Sequence, residues 1–149
     1  MSTHYDTATP YIASYVIFRK DTKVAFVLRE NTKWMNGFYG LPSGKVEQNE
    51  PATQAAIREA KEEVGIDVAA ENLRPVLVMH RKSEDSEWVD FIFESVSWEG
   101  DLINAEPHMH SKVEWLDPKN LPDNVIPPVR AAIEAIEAGQ HYAEFGWPV

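Results

Sequence analysis

The stretch Gly44–Ile66, GKVEQNEPATQAAIREAKEEVGI, carries most of what the sequence says about fold and chemistry. Pro51 near its start and Gly65 near its end bracket a helix over Glu50–Val64. Proline loses nothing in a first turn, where the N–H has no helical partner, and glycine adopts the left-handed conformation that ends helices. At about 100° per residue, Thr53, Ile57, Ala60 and Val64 fall on one stripe with Ala56 beside it, which gives the helix a face for a core. Glu59, Glu62 and Glu63 stand at i, i+3 and i+4 and share another face. Like charges at that spacing repel by about 0.2–0.5 kcal/mol per pair, whereas clustered hard carboxylate oxygens suit Mg²⁺ or Mn²⁺. Arg58 precedes the cluster and can grip one of these carboxylates, or Glu50, through two parallel hydrogen bonds. On the cluster alone, a solvated acidic face with Arg58 and Lys61 as ion-pair partners accounts for it equally well.

The flanks add strands. Tyr11–Arg19 and Lys23–Leu28 are rich in β-branched and aromatic residues around the polar turn Lys20-Asp21-Thr22, and predict a hairpin. A Gly/Asn/Pro-rich loop follows, with a short extended piece at Phe38–Leu41. Leu73–His80, Trp88–Val96 and Ser111–Leu116 predict three more strands. The stretch DPKNLPDNVIPP reads as loop and Val129–Ala138 as a closing helix with Val129, Ala132, Ile133 and Ile136 inward. The aromatic tail at 142–147 is expected either to seal the core or to form a dimer interface. Strands and helices mix without strict βαβ alternation, which predicts an α/β fold with a mixed sheet and helices on its faces.

Composition narrows the function. The chain has 149 residues with 24 acidic and 14 basic side chains, a net charge of −10, and no cysteine. A nucleic-acid polymer or an anionic membrane surface calls for the opposite sign. Thiolate zinc sites, disulfides and cysteine nucleophiles are excluded outright. The first residues lack the basic and apolar regions of a signal peptide, and no apolar run approaches the roughly 18 residues a membrane helix needs. The expectation is a cytoplasmic protein, monomer or homodimer, that meets any anionic ligand through a cation.

The spacing of the box is the specific signal. Gly44, five residues, Glu50, seven residues, then Arg58-Glu59-Ala60-x-Glu62-Glu63-x-Gly65-Ile66 resembles the Nudix box, GX5EX7REUXEEXGU with U apolar. Ala60 is smaller than the usual first U residue, and Leu41-Pro42-Ser43-Gly44 is similar to the family's (F/L)PGG approach with Ser43 in place of a glycine. The resemblance implies the Nudix fold, an α/β/α sandwich with a mixed sheet, over one domain at 10–149 after a flexible 1–9, with the box at 44–66. It also implies Mg²⁺, with Mn²⁺ possible, held by Glu59, Glu63, Glu62 and the Ser43 carbonyl. By the same resemblance Glu59 and Glu63 are the principal ligands, and Glu62 is a third ligand or the base acting on the attacking water. Arg58 orients a carboxylate, Glu50 supports the loop–helix geometry, and Glu106 is the preferred loop acid among Glu84, Asp85, Glu87, Glu99, Asp101 and Glu106.

For the substrate, Arg29 at the end of the second strand matches a phosphate-clamping arginine of mutator-type nucleoside triphosphate pyrophosphohydrolases. Phe38, with Trp34 and Tyr39, is placed to stack on a base, and Asn124 to read its edge. The proline that tends to follow the box in ADP-ribose pyrophosphatases is replaced by Arg81, and the tyrosine of dinucleoside polyphosphate hydrolases by Lys82, Ser83 and Glu84. A small nucleotide is therefore the expected partner: a (deoxy)nucleoside triphosphate cleaved to monophosphate and pyrophosphate, with ADP-ribose or a nucleotide sugar as the alternative. A non-hydrolysing Nudix binding module is the third reading, disfavoured by the intact Glu59, Glu62 and Glu63. His108 and His110 in the pattern H-x-H, and His80, read as structural or surface histidines, since no third nitrogen ligand accompanies them.

Overall fold

The computed structural model describes residues 6–148, so Met1–Tyr5 of the expected loose N-terminal segment lie outside the described residues. Its strands are β1 (Tyr11–Lys20), β2 (Lys23–Arg29), β3 (Tyr39–Gly40), β4 (Ser43–Lys45), β5 (Arg74–Lys82), β6 (Glu87–Ser95), β7 (His110–Leu116) and β8 (Tyr142–Phe145), with helices α1 (Ala52–Val64) and α2 (Pro127–Glu137). They form a mixed sheet in the order β3-β2-β1-β6-β5-β8, with β4 also on β1 and β7 also on β2. The β1–β6 and β5–β8 pairs are parallel and the others antiparallel.

One sheet face buries Val16, Phe18, Ala25, Val27 and Phe93 against Ala56, Ala60 and Val64 of α1. The other buries Ile17, Leu77, Met79 and Ile92 against Val129, Ala132 and Ile133 of α2. The result is the expected α/β/α layering. Alternation along β1 sorts its residues: the even positions face α1 and the odd ones, Tyr15 among them, face α2.

Five local expectations change. The helix begins at Ala52, because Pro51 is extended (φ −66°, ψ 149°) and only its carbonyl joins, accepting from the Ala55 N–H at 3.1 Å. Gly65 ends it at φ +70° as expected. Thr53 and Ile57 lie at the margin of the buried face, which Ala55, Ala56, Ala60 and Val64 occupy, since small side chains let α1 lie close to β1. The extended piece at Phe38–Leu41 becomes β3 and β4 on either side of Leu41-Pro42. The Pro127-Pro128 pair, expected in a loop, starts α2, where neither ring removes a needed donor. The tail, finally, is a strand: β8 runs parallel to β5, and the Trp147 Nε1–H donates to the His80 carbonyl at 2.8 Å.

Candidate metal and nucleotide site

β4 and α1 meet where Gly44 faces Glu59. The glycine's missing side chain leaves the room that the Glu59 carboxyl group fills: a Cβ there would overlap the Cδ and Oε1 of Glu59. One residue earlier, the Ser43 N–H points at the Glu63 carboxyl group, 3.3 and 3.4 Å from its two oxygens. Glu63 is buried at 7% exposure on the face of α1 that otherwise holds alanines and valine.

Burial pushes the Glu63 carboxyl well above the usual carboxylate range, and the neighbouring Glu59 carboxylate pushes it further. Burial also raises Glu59, against the pull of Arg58. A buried acid pair of this kind holds a proton where a cation would otherwise balance it. Glu106, by its charge, raises the Glu63 pKa further. It stands on a loop tied to the end of α1 by Ala105 N–H donating to the Glu63 carbonyl (3.1 Å) and Ile103 N–H to that of Val64 (3.1 Å).

Arg58 makes both contacts the sequence offered it. Its Nε and Nη2 donate to the two oxygens of Glu50 at 2.9 and 3.0 Å, and its Nη1 donates to Glu59 Oε1 at 2.7 Å. Its Nη2 also reaches the Lys45 carbonyl at 3.2 Å. The guanidinium thus locks the start of α1, the β4 strand and Glu59 together, and holds the Glu50 carboxyl down at about 2. Glu62 is half exposed and shares the same guanidinium nitrogen, with Oε2 3.6 Å from Arg58 Nη1. Among the described residues no three acidic or histidine side chains converge as a ready metal cage. Two paired carboxylates beside a backbone strand still fit Mg²⁺, which takes one or two carboxylates and completes its shell with water and substrate phosphate.

The three residues expected to bind substrate form a second cluster. The Arg29 N–H donates to the Phe38 carbonyl (3.0 Å), and the Asn124 Nδ2 donates to the Gly37 carbonyl (2.9 Å). Asn124's own carbonyl accepts from the Tyr39 N–H (2.8 Å). Asn124 therefore also fixes the Gly37–Tyr39 turn. Arg29 leans on exposed Trp34, with its guanidinium carbon 5.6 Å from the ring centroid and Nε donating to the Trp34 carbonyl. Tyr39 is core, and its hydroxyl donates to Glu114 (2.6 Å).

His110 opens β7 opposite Arg29, buried, with Nδ1 lacking a hydrogen-bond partner; burial lowers its pKa and the Arg29 charge lowers it further. His108 is exposed outside the strand, so the two histidines do not act as a pair.

Sequence reasoning missed Tyr15, Arg81 and Asp90. Arg81 Nε and Nη2 clasp Asp90 at 2.7 and 3.0 Å, both residues being buried, and the Tyr15 hydroxyl lies 3.4 Å from Nη2. A small cavity between this floor and Pro128, Val129 and Ala132 of α2 reaches Leu41, two residues from Ser43. Charged residues at inward positions of β5 and β6 were the available signal, but only the strand register brings them face to face.

The NUDIX domain family model matches residues 9–136. The chain belongs to the Nudix family. Its Nudix domain is 45% identical over 58 residues, 39% of this chain and 52% of the relative, to the 8-oxo-dGTP diphosphatase of Proteus vulgaris. It is 31% identical over 141 residues, 92% of this chain and 40% of the relative, to the 8-oxo-dGDP phosphatase NUDT18 of Danio rerio. The chain thus spans about half or less of the length of these curated relatives. Among solved structures it resembles a MutT NUDIX hydrolase from Burkholderia pseudomallei, with a TM-score of 0.78 and 25% identity over 85% of this chain and 97% of that one. That likeness agrees with the mixed sheet and two helices described above. Among the described residues no helix is long and apolar enough to cross a membrane.

Proposed function

We propose that this Nudix protein hydrolyses a nucleoside diphosphate linked to a further group, in the first place a (deoxy)nucleoside triphosphate to its monophosphate and pyrophosphate, with Mg²⁺. The observation that carries the reading is the pair of buried Glu63 and half-buried Glu59, seated on Ser43 and Gly44 and braced by Arg58. Burying two acids side by side costs stability unless a cation or proton offsets it, so the arrangement serves binding rather than folding. The names of the relatives above, one a triphosphate diphosphatase and one a diphosphate phosphatase, support a nucleotide substrate.

A divalent cation held by Glu59, Glu63 and the Ser43 carbonyl would neutralise charge on the phosphates and lower the pKa of water beside them. The chain's residues do the rest. Arg58 keeps the Glu59 carboxylate aimed while remaining locked on Glu50. Glu62, half exposed beside Arg58, and Glu106, whose charge reaches Glu63, are the two acids we assign to take a proton from the attacking water. Arg29 would offer its charge to the phosphates, with Asn124 and the partly buried Phe38 near it for the base.

The deciding experiment is Glu63→Gln assayed for pyrophosphate release from a nucleoside triphosphate panel with excess Mg²⁺. The expected result is loss of turnover by about 10²–10⁴-fold with an unchanged circular dichroism spectrum. Equal turnover in the variant overturns the assignment of the site.

A further inference from the structure

The sheet face that α2 covers continues past the helix, and its outer end carries a second arrangement. Tyr11 of β1 and Trp88 of β6 are register partners, so their rings share that face, with centroids 4.8 Å apart. Lys45 of β4 places its ammonium 4.3 Å from the Tyr11 centroid and 5.5 Å from that of Trp88. Arg81 supports the far side, its guanidinium carbon 4.6 Å from the Trp88 ring. Tyr11 is 49% exposed, although its ring is flat, apolar and held in place. It divides two open grooves of about 420 and 290 Å³, one lined by Glu47, Gln48 and Asn49 and the other by Asp85, Ser86 and Glu87.

The position relative to the reaction site follows from the strands. Ser43 pairs with Tyr15 and Lys45 with Ala13, so Lys45 stands two residues, roughly 7 Å, beyond the backbone next to Glu63. β2 and β6 flank β1 on opposite sides, which puts the Arg29, Phe38 and Asn124 cluster across β1 from Trp88. A diphosphate spanning the Glu59–Glu63 pair, with its nucleoside among Arg29, Phe38 and Asn124, therefore directs its other end toward Lys45 and the two rings.

We propose that Tyr11, Trp88 and Lys45 form a subsite for a sugar carried on the distal phosphate of the substrate. The inference rests on the proposed diphosphate site but not on the triphosphate reading. The chemistry decides the occupant. A sugar presents a C–H face that packs on an aromatic ring, and hydroxyls that donate to carboxylates and amides. The grooves offer those acceptors in Glu47, Gln48, Asn49, Asp85 and Glu87. A bare terminal phosphate would face the three carboxylates Glu47, Asp85 and Glu87 as an anion, against the two cations Lys45 and Lys82. Lys45 forms no ion pair among the described residues, and an ammonium held only by ring faces is free to swing to a passing phosphate.

The test keeps the adenosine half constant and varies the distal group: ATP, ADP-ribose, ADP-glucose and diadenosine diphosphate, with the full chain and Mg²⁺. Tyr11→Leu alters an exposed side chain and leaves both cores intact. It is expected to raise KM for ADP-ribose and ADP-glucose by roughly three- to tenfold, with kcat and the KM for ATP unchanged, while Tyr11→Phe behaves as the parent. Equal shifts for ATP and the sugar substrates, or no shift for either, overturn the proposal. A shift confined to diadenosine diphosphate overturns it in favour of a base. If no substrate turns over in the parent protein, the hydrolase reading fails by itself. Calorimetric binding of ADP-ribose to the parent and to Tyr11→Leu then decides the subsite: weaker binding in the variant upholds it, and equal or absent binding overturns it.

Discussion

The Gly44 Cα lies against the Glu59 carboxyl group so closely that no other residue fits at 44 without moving that carboxylate. Gly44→Ala is a small change by volume but is aimed at the site. We expect hydrolysis to fall on the order of 100-fold, as displacement of a catalytic group by about 1 Å does, with the thermal midpoint nearly unchanged. Steady-state kinetics beside a melting curve checks this, and full activity in the alanine variant would show that Glu59 has no fixed place.

Metal, pH and stability are coupled through the same pair. Glu59 and Glu63 both have folded pKa values raised above those of the unfolded chain. Their contribution to stability is therefore fully present below about pH 4.3, the unfolded value, and is lost as pH rises through the folded values. A divalent cation replaces the proton, and binds more tightly as the competing proton leaves. Added Mg²⁺ should raise the melting temperature more at pH 8 than at pH 5. Equal shifts at the two pH values would mean that the cation binds elsewhere.

Arg58 tests orientation. Lysine keeps the charge but cannot hold both oxygens of Glu50 and reach Glu59 at once. Arg58→Lys should lower kcat by about tenfold or more while the chain stays folded. Wild-type kcat in the variant would reduce the residue to a surface ion pair.

The Arg81–Asp90 pair is the one place where a single change should threaten the fold. Removing either partner leaves a buried charge alone, which costs about 3–5 kcal/mol, so Arg81→Met or Asp90→Leu should unfold at much lower urea concentration. The double variant Arg81→Met/Asp90→Leu should regain most of that loss, because apolar side chains fill the same space without desolvated charge. Additive losses in the double variant would refute the coupling.

What was legible in the sequence is what depends on near neighbours in the chain. The helix of the box, its glycine end, the Glu59–Glu63 spacing and the β1–β2 hairpin all follow from residues a few positions apart, where covalent geometry fixes which side chains share a face. The contact of Arg58 with Glu50 was also within reach, at eight residues along the chain.

Tertiary structure decided the rest. That Glu59 meets Gly44 and that Glu106 lies close enough to raise the Glu63 pKa depend on how a strand and a loop close on the box helix. The strand β8 exists because β5 offers it an open edge, not because its short aromatic sequence demands one. Tyr11 meets Trp88, and Arg81 meets Asp90, through strand register, and a slip of one residue would have turned each of them to the opposite face.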